Sequence, residues 1–208
     1  MRRAILLVAT VALTLLVASG VALAVNKVGT NGPDTLRGTN GDDNLIGKGG
    51  NDDLFGLRGS DNLLGGEGKD NVLAGGDERR PGRGDKNLVG GPGNDAVIGG
   101  KGSDNMVGGE GNDLLFECCL REFSKDTLSG GSGNDVIDVS HRPAVRDVVV
   151  CGRGFDRVLA DKKDTVARDC ERVVVVRGSR EAVLRQVDEF FESVPESFFR
   201  GLPPDPFR

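Results

Sequence analysis

The stretch from Gly90 to Phe116 reads GGPGNDAVI, GGKGSDNMV and GGEGNDLLF, three consecutive copies of one nine-residue unit. Glycine stands at positions one, two and four of each copy, aspartate at position six and an apolar residue at position eight. A fixed period of this kind means that one short element is stacked on copies of itself, so it is read before any local propensity. Working outward, alignment on the aspartate and the apolar position gives eleven copies: five from Gly29 to Leu73, four from Pro81 to Phe116 and two from Arg121 to Asp138. The insertions Ala74 to Arg80 and Glu117 to Leu120 separate the blocks and read as loops bulging from the stack.

The residue types dictate what the unit builds. Glycine permits a tight turn that leaves backbone carbonyls exposed on one side. The residues around position eight are then extended, with the middle one pointing inward. Leu36, Leu45, Leu54, Leu63, Val72, Leu88, Val97, Met106, Leu115, Leu128 and Ile137 are the predicted inward column. Two units complete one coil with a turn at each end, and coils stack at the strand spacing of about 4.8 Å. One unit buries too little to offset its ordering entropy, so neighbours have to stack together. The composition agrees with a thin column and not a thick core: 33 glycines in 208 residues, 4% aromatics, and neither Trp nor Tyr. The expected fold is all-β, a parallel β-roll or β-helix-like solenoid, with a short C-terminal α-helix. A merely turn-rich linker would not keep an aliphatic residue two places after each aspartate.

The unit resembles the repeat-in-toxin (RTX, haemolysin-type) calcium-binding nonapeptide. That resemblance implies a parallel β-roll with Ca²⁺ in its turns. Stacking sets aspartates in rows one strand spacing apart, where unscreened carboxylates repel strongly. Carboxylate and carbonyl oxygens form a hard donor set suited to Ca²⁺ over Zn²⁺ or Cu²⁺. Carried onto this chain, the family's metal-ligating aspartates are Asp34, Asp43, Asp52, Asp61, Asp70, Asp95, Asp104, Asp113, Asp126 and Asp135. The sixth copy, PGRGDKNLV, departs from the pattern with Lys86 at position six, which leaves either no site there or a shifted one using Asp85. The first copy, GTNGPDTLR, and the tenth, REFSKDTLS, lack several glycines, so Asp34 and Asp126 are weaker candidates.

The flanks complete the organisation. Arg2 and Arg3, the apolar run from Ala4 and the Ala22-Leu23-Ala24 triplet read as a secretory signal peptide over residues 1–24, with an uncleaved anchor as the alternative. The calcium-binding roll spans 29–138. Residues 139–176 read as degenerate rungs, since CGRGFDRVL (Cys151 to Leu159), Asp147 with Val149, and Asp164 with Val166 echo the unit. Asp156 there is either a ligand or a structural turn residue. Cys151 and Cys170 lie nineteen residues apart, about one coil, and an exported chain favours a disulfide between them. The pairing of Cys118 and Cys119 is left open. Residues 177–208 carry helical spacing at Val183, Leu184, Val187, Phe190, Phe191 and Val194, then an irregular tail. This amphipathic helix is expected to cap the open end of the roll, or to dock a protein or cell-surface partner.

Function follows from these parts. With 27 basic against 32 acidic residues, the formal charge of −5 disfavours nucleic acid as a partner. The expected protein is secreted or extracellular, with no stable membrane span after signal cleavage. Its role is that of a non-catalytic structural or interaction module that folds on Ca²⁺. The alternative is a calcium-dependent secreted hydrolase, or an accessory module of a polysaccharide- or protein-degrading enzyme. The chain has no GxSxG, no HExxH and a single histidine, His141, following Ser140 in a loop. RTX proteins commonly use an uncleaved C-terminal export signal, whereas an N-terminal one is expected for this chain. The resemblance therefore carries the calcium chemistry and not a toxin activity.

Overall fold

The computed structural model describes residues 24–74, 84–85, 87–117, 124–140, 145–177 and 180–203. The signal-peptide reading of 1–24 falls almost wholly outside them, as do Lys86, Cys118, Cys119, His141 and the tail from 204.

Sixteen short strands alternate between two sheets. The first sheet holds β1 (Asn26–Val28), β3 (Asn44–Gly49), β5 (Asn62–Glu67), β7 (Asn87–Pro92), β9 (Asn105–Glu110), β11 (Thr127–Ser132), β13 (Val148–Arg153) and β15 (Thr165–Val166), in that order. The second holds β2 (Thr35–Arg37), β4 (Asp53–Phe55), β6 (Asn71–Leu73), β8 (Ala96–Gly99), β10 (Leu114–Glu117), β12 (Val136–Asp138), β14 (Arg157–Ala160) and β16 (Arg172–Val175). Every pairing is parallel, and each strand pairs with those two places before and after it in the chain. This is the expected β-roll, one coil to two units.

The register places like on like. Leu45 pairs with Leu63, Leu63 with Leu88, Leu88 with Met106 and Met106 with Leu128. The second sheet lines up Leu54, Val72, Val97, Leu115 and Ile137 in the same way. All of the predicted inward residues are fully buried except Leu36, which packs partly buried at the N-terminal end of the column. Because side chains alternate along a strand, a slip of one residue would turn this whole column to solvent, and that fixes the register.

The rungs continue past Asp138. Val149, Cys151, Val158 and Ala160 extend the same buried column, and β13 to β16 pair in register with the rungs before them. Cys151 and Cys170 form a disulfide with α-carbons 5.2 Å apart.

Helices α1 (Arg180–Glu192) and α2 (Glu196–Gly201) follow. They do not sit over the open end of the roll. Phe190, Val194 and Phe198 instead form a second core with Val136 and Leu159, joined by Leu114 and Val174, so the helices lie across the outer face of the second sheet. The physical reason is the composition of that face: its outward positions turn apolar in the last rungs, giving the phenylalanines a wider surface than a strand edge would. Among the described residues no helix is long and apolar enough to cross a membrane.

Candidate metal-binding edges

The roll has two edges of stacked turns. Turns leading from the first sheet to the second form a regular edge. Its carboxylates are Asp34, Asp52, Asp70, Asp95, Asp113, Asp135 and Asp156, one per coil. Turns leading back form the second edge, with Asp43, Asp61, Asp85, Asp104, Asp126, Asp147 and Asp164. All the long connections, between β6 and β7, β10 and β11, and β12 and β13, fall on this second edge. The ten aspartates singled out by sequence therefore divide six to the regular edge and four to the loop-bearing edge.

Within each row the carboxylates do the same thing. One oxygen accepts the backbone N–H of the aspartate one coil earlier: Asp34 N–H donates to Asp52 Oδ1 at 2.8 Å, Asp52 to Asp70 at 2.8 Å, Asp70 to Asp95 at 2.8 Å and Asp95 to Asp113 at 2.9 Å. On the regular edge from Asp52 onward, and at Asp85, the second oxygen is left over. Oδ2 of Asp52, Asp70, Asp85, Asp95, Asp113, Asp135 and Asp156 is buried with no hydrogen-bond partner. A buried polar atom without a partner carries its full desolvation cost, of order 1–3 kcal/mol and more when charged.

Glycine at position one makes room beside that oxygen. A methyl group on Gly29 would come within 2.6 Å of both Asp34 Oδ2 and the Gly47 carbonyl oxygen, which belongs to the next coil. At Gly130 it would meet Asp135 Oδ2 and, at 2.7 Å, the Cys151 carbonyl oxygen. The same pairing of carboxylate and carbonyl recurs at Gly47, Gly65, Gly90 and Gly108. Each of these turns thus offers a side-chain and a main-chain oxygen converging on one point from adjacent coils. This donor set fits a hard divalent cation of the Ca²⁺ type.

The proton affinities agree with an unmet positive charge. Burial, with neighbouring aspartates adding to it, pushes Asp70 up to about 6, Asp95 and Asp135 to about 7, and Asp113 to about 8. Asp52 and Asp156 are raised for the same reason. Asp34 is the exception, held below the usual carboxylate range by the backbone N–H and then the hydroxyl of Thr30, at 2.6 and 2.9 Å from its Oδ2. Asp43 Oδ2 is likewise bonded by the N–H and hydroxyl of Thr39. Threonine at position two of the first two copies therefore satisfies the oxygen that the later aspartates of the regular edge leave bare, a signal present in GTNGPD and GTNGDD that sequence reasoning passed over; on the loop-bearing edge Asp104 Oδ2 accepts the Gly100 N–H at 3.1 Å.

Two further carboxylates lie off position six. Asp85 does take the place that Lys86 vacates: its Oδ1 accepts the N–H of Asp61 at 2.6 Å, and its own N–H donates to Asp104 at 2.6 Å. Burial raises it to about 8. Glu117, at the start of an insertion, brings a third carboxylate to Asp126 and Asp147, with oxygens of all three within 4.8 Å of one another. Burial, then the charges of Asp126 and Asp147, push Glu117 up to about 12. Nothing in the repeat pattern marks Glu117, because it lies past position nine of its copy.

Against known families, the chain matches the RTX calcium-binding nonapeptide repeat in four stretches, residues 28–63, 46–78, 82–115 and 124–139. Over that span the chain belongs to the RTX calcium-binding nonapeptide-repeat family, and its roll is a calcium-binding structural module of that class. No curated protein and no solved structure gives a significant match.

Proposed function

We propose that this chain is a secreted, non-catalytic protein whose roll is held together by Ca²⁺ bound along its edges, with Asp52, Asp61, Asp70, Asp95, Asp104, Asp113, Asp126 and Asp135 as principal carboxylate ligands. Asp34 and Asp43 join them where the cation displaces their threonine contacts. The observation that carries this reading is the row of buried Oδ2 atoms of Asp52, Asp70, Asp95, Asp113 and Asp135, each beside a carbonyl oxygen of the next coil. Two carboxylates one strand spacing apart repel by about 3.5 kcal/mol at an effective dielectric near 20. A cation between them reverses the sign of that interaction.

Without metal at neutral pH, the chain is then largely disordered and folds on binding. Its affinity falls in the range of extracellular calcium modules, roughly 10⁻⁴ to 10⁻³ M. Such an affinity is useful outside the cell, where calcium is millimolar, and agrees with an N-terminal export signal. Circular dichroism in EDTA and then in millimolar CaCl₂ tests the reading; identical spectra would reject it. The same preparation assayed on casein, ester and glycan substrates decides the hydrolase alternative, which gains only from turnover that EDTA abolishes.

A further inference from the structure

We propose that the crevice between α2 and the last coils of the roll binds an organic carboxylate. Its carboxyl group is held by Arg157 and the side-chain amides of Asn112 and Asn134, and its apolar body rests on Phe155, Pro195 and Phe198. The site uses none of the aspartates in the two rows and goes beyond the metal chemistry of the roll.

Position five of three successive turns on the regular edge is Asn94, Asn112 and Asn134, and Phe155 holds it in the fourth. The asparagines form a ladder. Asn94 Oδ1 accepts the Asn112 N–H at 2.8 Å, Asn112 Oδ1 the Asn134 N–H at 2.7 Å and Asn134 Oδ1 the Phe155 N–H at 2.8 Å. Only the oxygen of a side-chain amide can accept a backbone N–H, so each Nδ2 is left as a spare donor. Asn94 Nδ2 gives its hydrogen to the Gly201 carbonyl at the end of α2, at 3.4 Å. At Asn112 and Asn134 a crevice of about 360 Å³ takes the place of that contact, and neither Nδ2 meets an acceptor among the described residues. That volume lies at the lower end of the range for small-molecule sites.

Arg157 supplies the charge. Its guanidinium lies over the Phe155 ring, with Cζ 4.9 Å from the centroid, and its Nε is buried without a hydrogen-bond partner. One rung on, Arg172 stands in register beside it. Among the described residues neither arginine pairs with a carboxylate, although the chain carries 32 acidic side chains. Two adjoining cations repel, and an external anion relieves them. The side chains of Asn112, Asn134, Arg157 and Ser197 all bring donors to the crevice, and no carboxylate lines it. Such a set selects an anionic acceptor, and the planar guanidinium matches a carboxylate. Arg157 is the one cation lining the crevice, which favours a monoanion over a dianionic phosphate, whose second charge would be desolvated unpaired. The remaining walls are apolar: Pro195, the buried Phe198 and the ring of Phe155, 47% exposed and free to cover a ligand. They call for an apolar body attached to the carboxyl group.

An NMR titration of the full, ¹⁵N-labelled chain in millimolar CaCl₂ tests this, with hydrocinnamate as probe and its neutral amide as control. Hydrocinnamate is expected to shift the side-chain amide signals of Asn112 and Asn134 and the Nε–H of Arg157 saturably, and the amide to leave them in place. Asn134→Asp keeps an acceptor for the Phe155 N–H and removes the donor. That variant and Arg157→Gln are each expected to weaken binding by at least about tenfold, the scale of one lost charge-assisted hydrogen bond. A second arm uses an acetylated alanine peptide ending in phenylalanine, as free acid and as amide. Tighter binding of the peptide acid than of hydrocinnamate supports the site and assigns it to a protein C-terminus; weaker or no binding of the peptide supports it as a site for a free small acid. Equal binding of acid and amide, unchanged affinity in the variants, or no saturable shift by roughly 10 mM hydrocinnamate would overturn the proposal. If Arg157→Gln shows no native circular dichroism in CaCl₂, Asn134→Asp alone decides. A parent that stays folded and binds hydrocinnamate in EDTA would sink the calcium reading and leave this site standing.

Discussion

Asp52 divides its carboxylate between two tasks: Oδ1 accepts the backbone N–H of Asp34 at 2.8 Å, while Oδ2 is buried against the α-carbon of Gly47 with no hydrogen-bond partner. The first oxygen is a rung of the ladder and needs only to be an acceptor. The second is useful only to a cation.

Substitution by asparagine separates these tasks, because the amide oxygen can keep the rung while the charge is lost. Asp95→Asn is expected to raise the folded fraction of the calcium-free protein at pH 7, where the parent carries mutual repulsion along the row. In the same variant, calcium affinity is expected to drop by about tenfold, since affinity in such sites follows ligand charge. Circular dichroism in EDTA and a calcium titration measure the two effects. A variant that moves both in the same direction contradicts the division of roles.

The raised proton affinities along the edges give a pH dependence whose sign is fixed. In the metal-free roll Asp70, Asp95, Asp113 and Asp135 titrate at about 6 to 8, against 3.8 in the unfolded chain. The folded state then binds more protons than the unfolded one between those values, so stability falls as pH rises. The contribution is fully present below pH 3.8 and is lost as pH climbs through 6 to 8. Acidification in EDTA from pH 7.5 to about 4.5 is therefore expected to fold the roll without calcium. Calcium affinity is expected to weaken over the same interval, with proton release on binding, measurable by titration in buffers of different ionisation enthalpy. Metal-free protein that unfolds further on acidification would contradict the assignment.

Much of this was written in the period itself. Position eight names the buried column and position six the two rows, because one unit in register leaves a side chain no choice of neighbour. What stayed open or escaped was whatever broke the unit. Asp85 sits one place early, one of the two alternatives the sequence leaves for the sixth copy, and the stack decides between them by seating its carboxylate in the row. Glu117 belongs to an insertion, and its approach to Asp126 and Asp147 is a tertiary fact. The helices have clear helical spacing, yet the surface they cover depends on Val136 and Leu159 becoming apolar on an outer face, which is invisible until rungs are paired.

Burial, then the charges of Asp126 and Asp147, favours the protonated form of Glu117 when no cation is present. Glu117→Gln keeps a neutral hydrogen-bonding group of the same size. It is expected to change the stability of the calcium-free roll by less than about 1 kcal/mol, the scale of one ordinary hydrogen bond. Urea unfolding in EDTA at pH 5, where the metal-free roll is folded, measures this. A loss of several kcal/mol would show that the group is ionised in place.

Leu57 tests the turn geometry from the opposite side. It occupies position two of GLRGSDNLL with φ at 76°, where the regular units carry glycine, as at Gly66 with φ at 115°. A side chain with a β-carbon crowds the adjoining carbonyl in this region and costs roughly 1–2 kcal/mol. Leu57→Gly is therefore expected to stabilise the calcium-loaded roll by up to about 1 kcal/mol, after allowing for the greater chain entropy that glycine restores to the unfolded state. Gly111→Ala is the reciprocal change: φ is 131°, and the new methyl would run into the Gly93 carbonyl oxygen. It is expected to destabilise by on the order of 1–3 kcal/mol. Thermal melts in 5 mM CaCl₂, a concentration roughly at or above the millimolar affinity expected of extracellular modules, compare the two. If Leu57→Gly melts below the parent, Leu57 contributes more by packing than its backbone conformation costs, and the rule that glycine at position two exists to relieve strain fails for this turn.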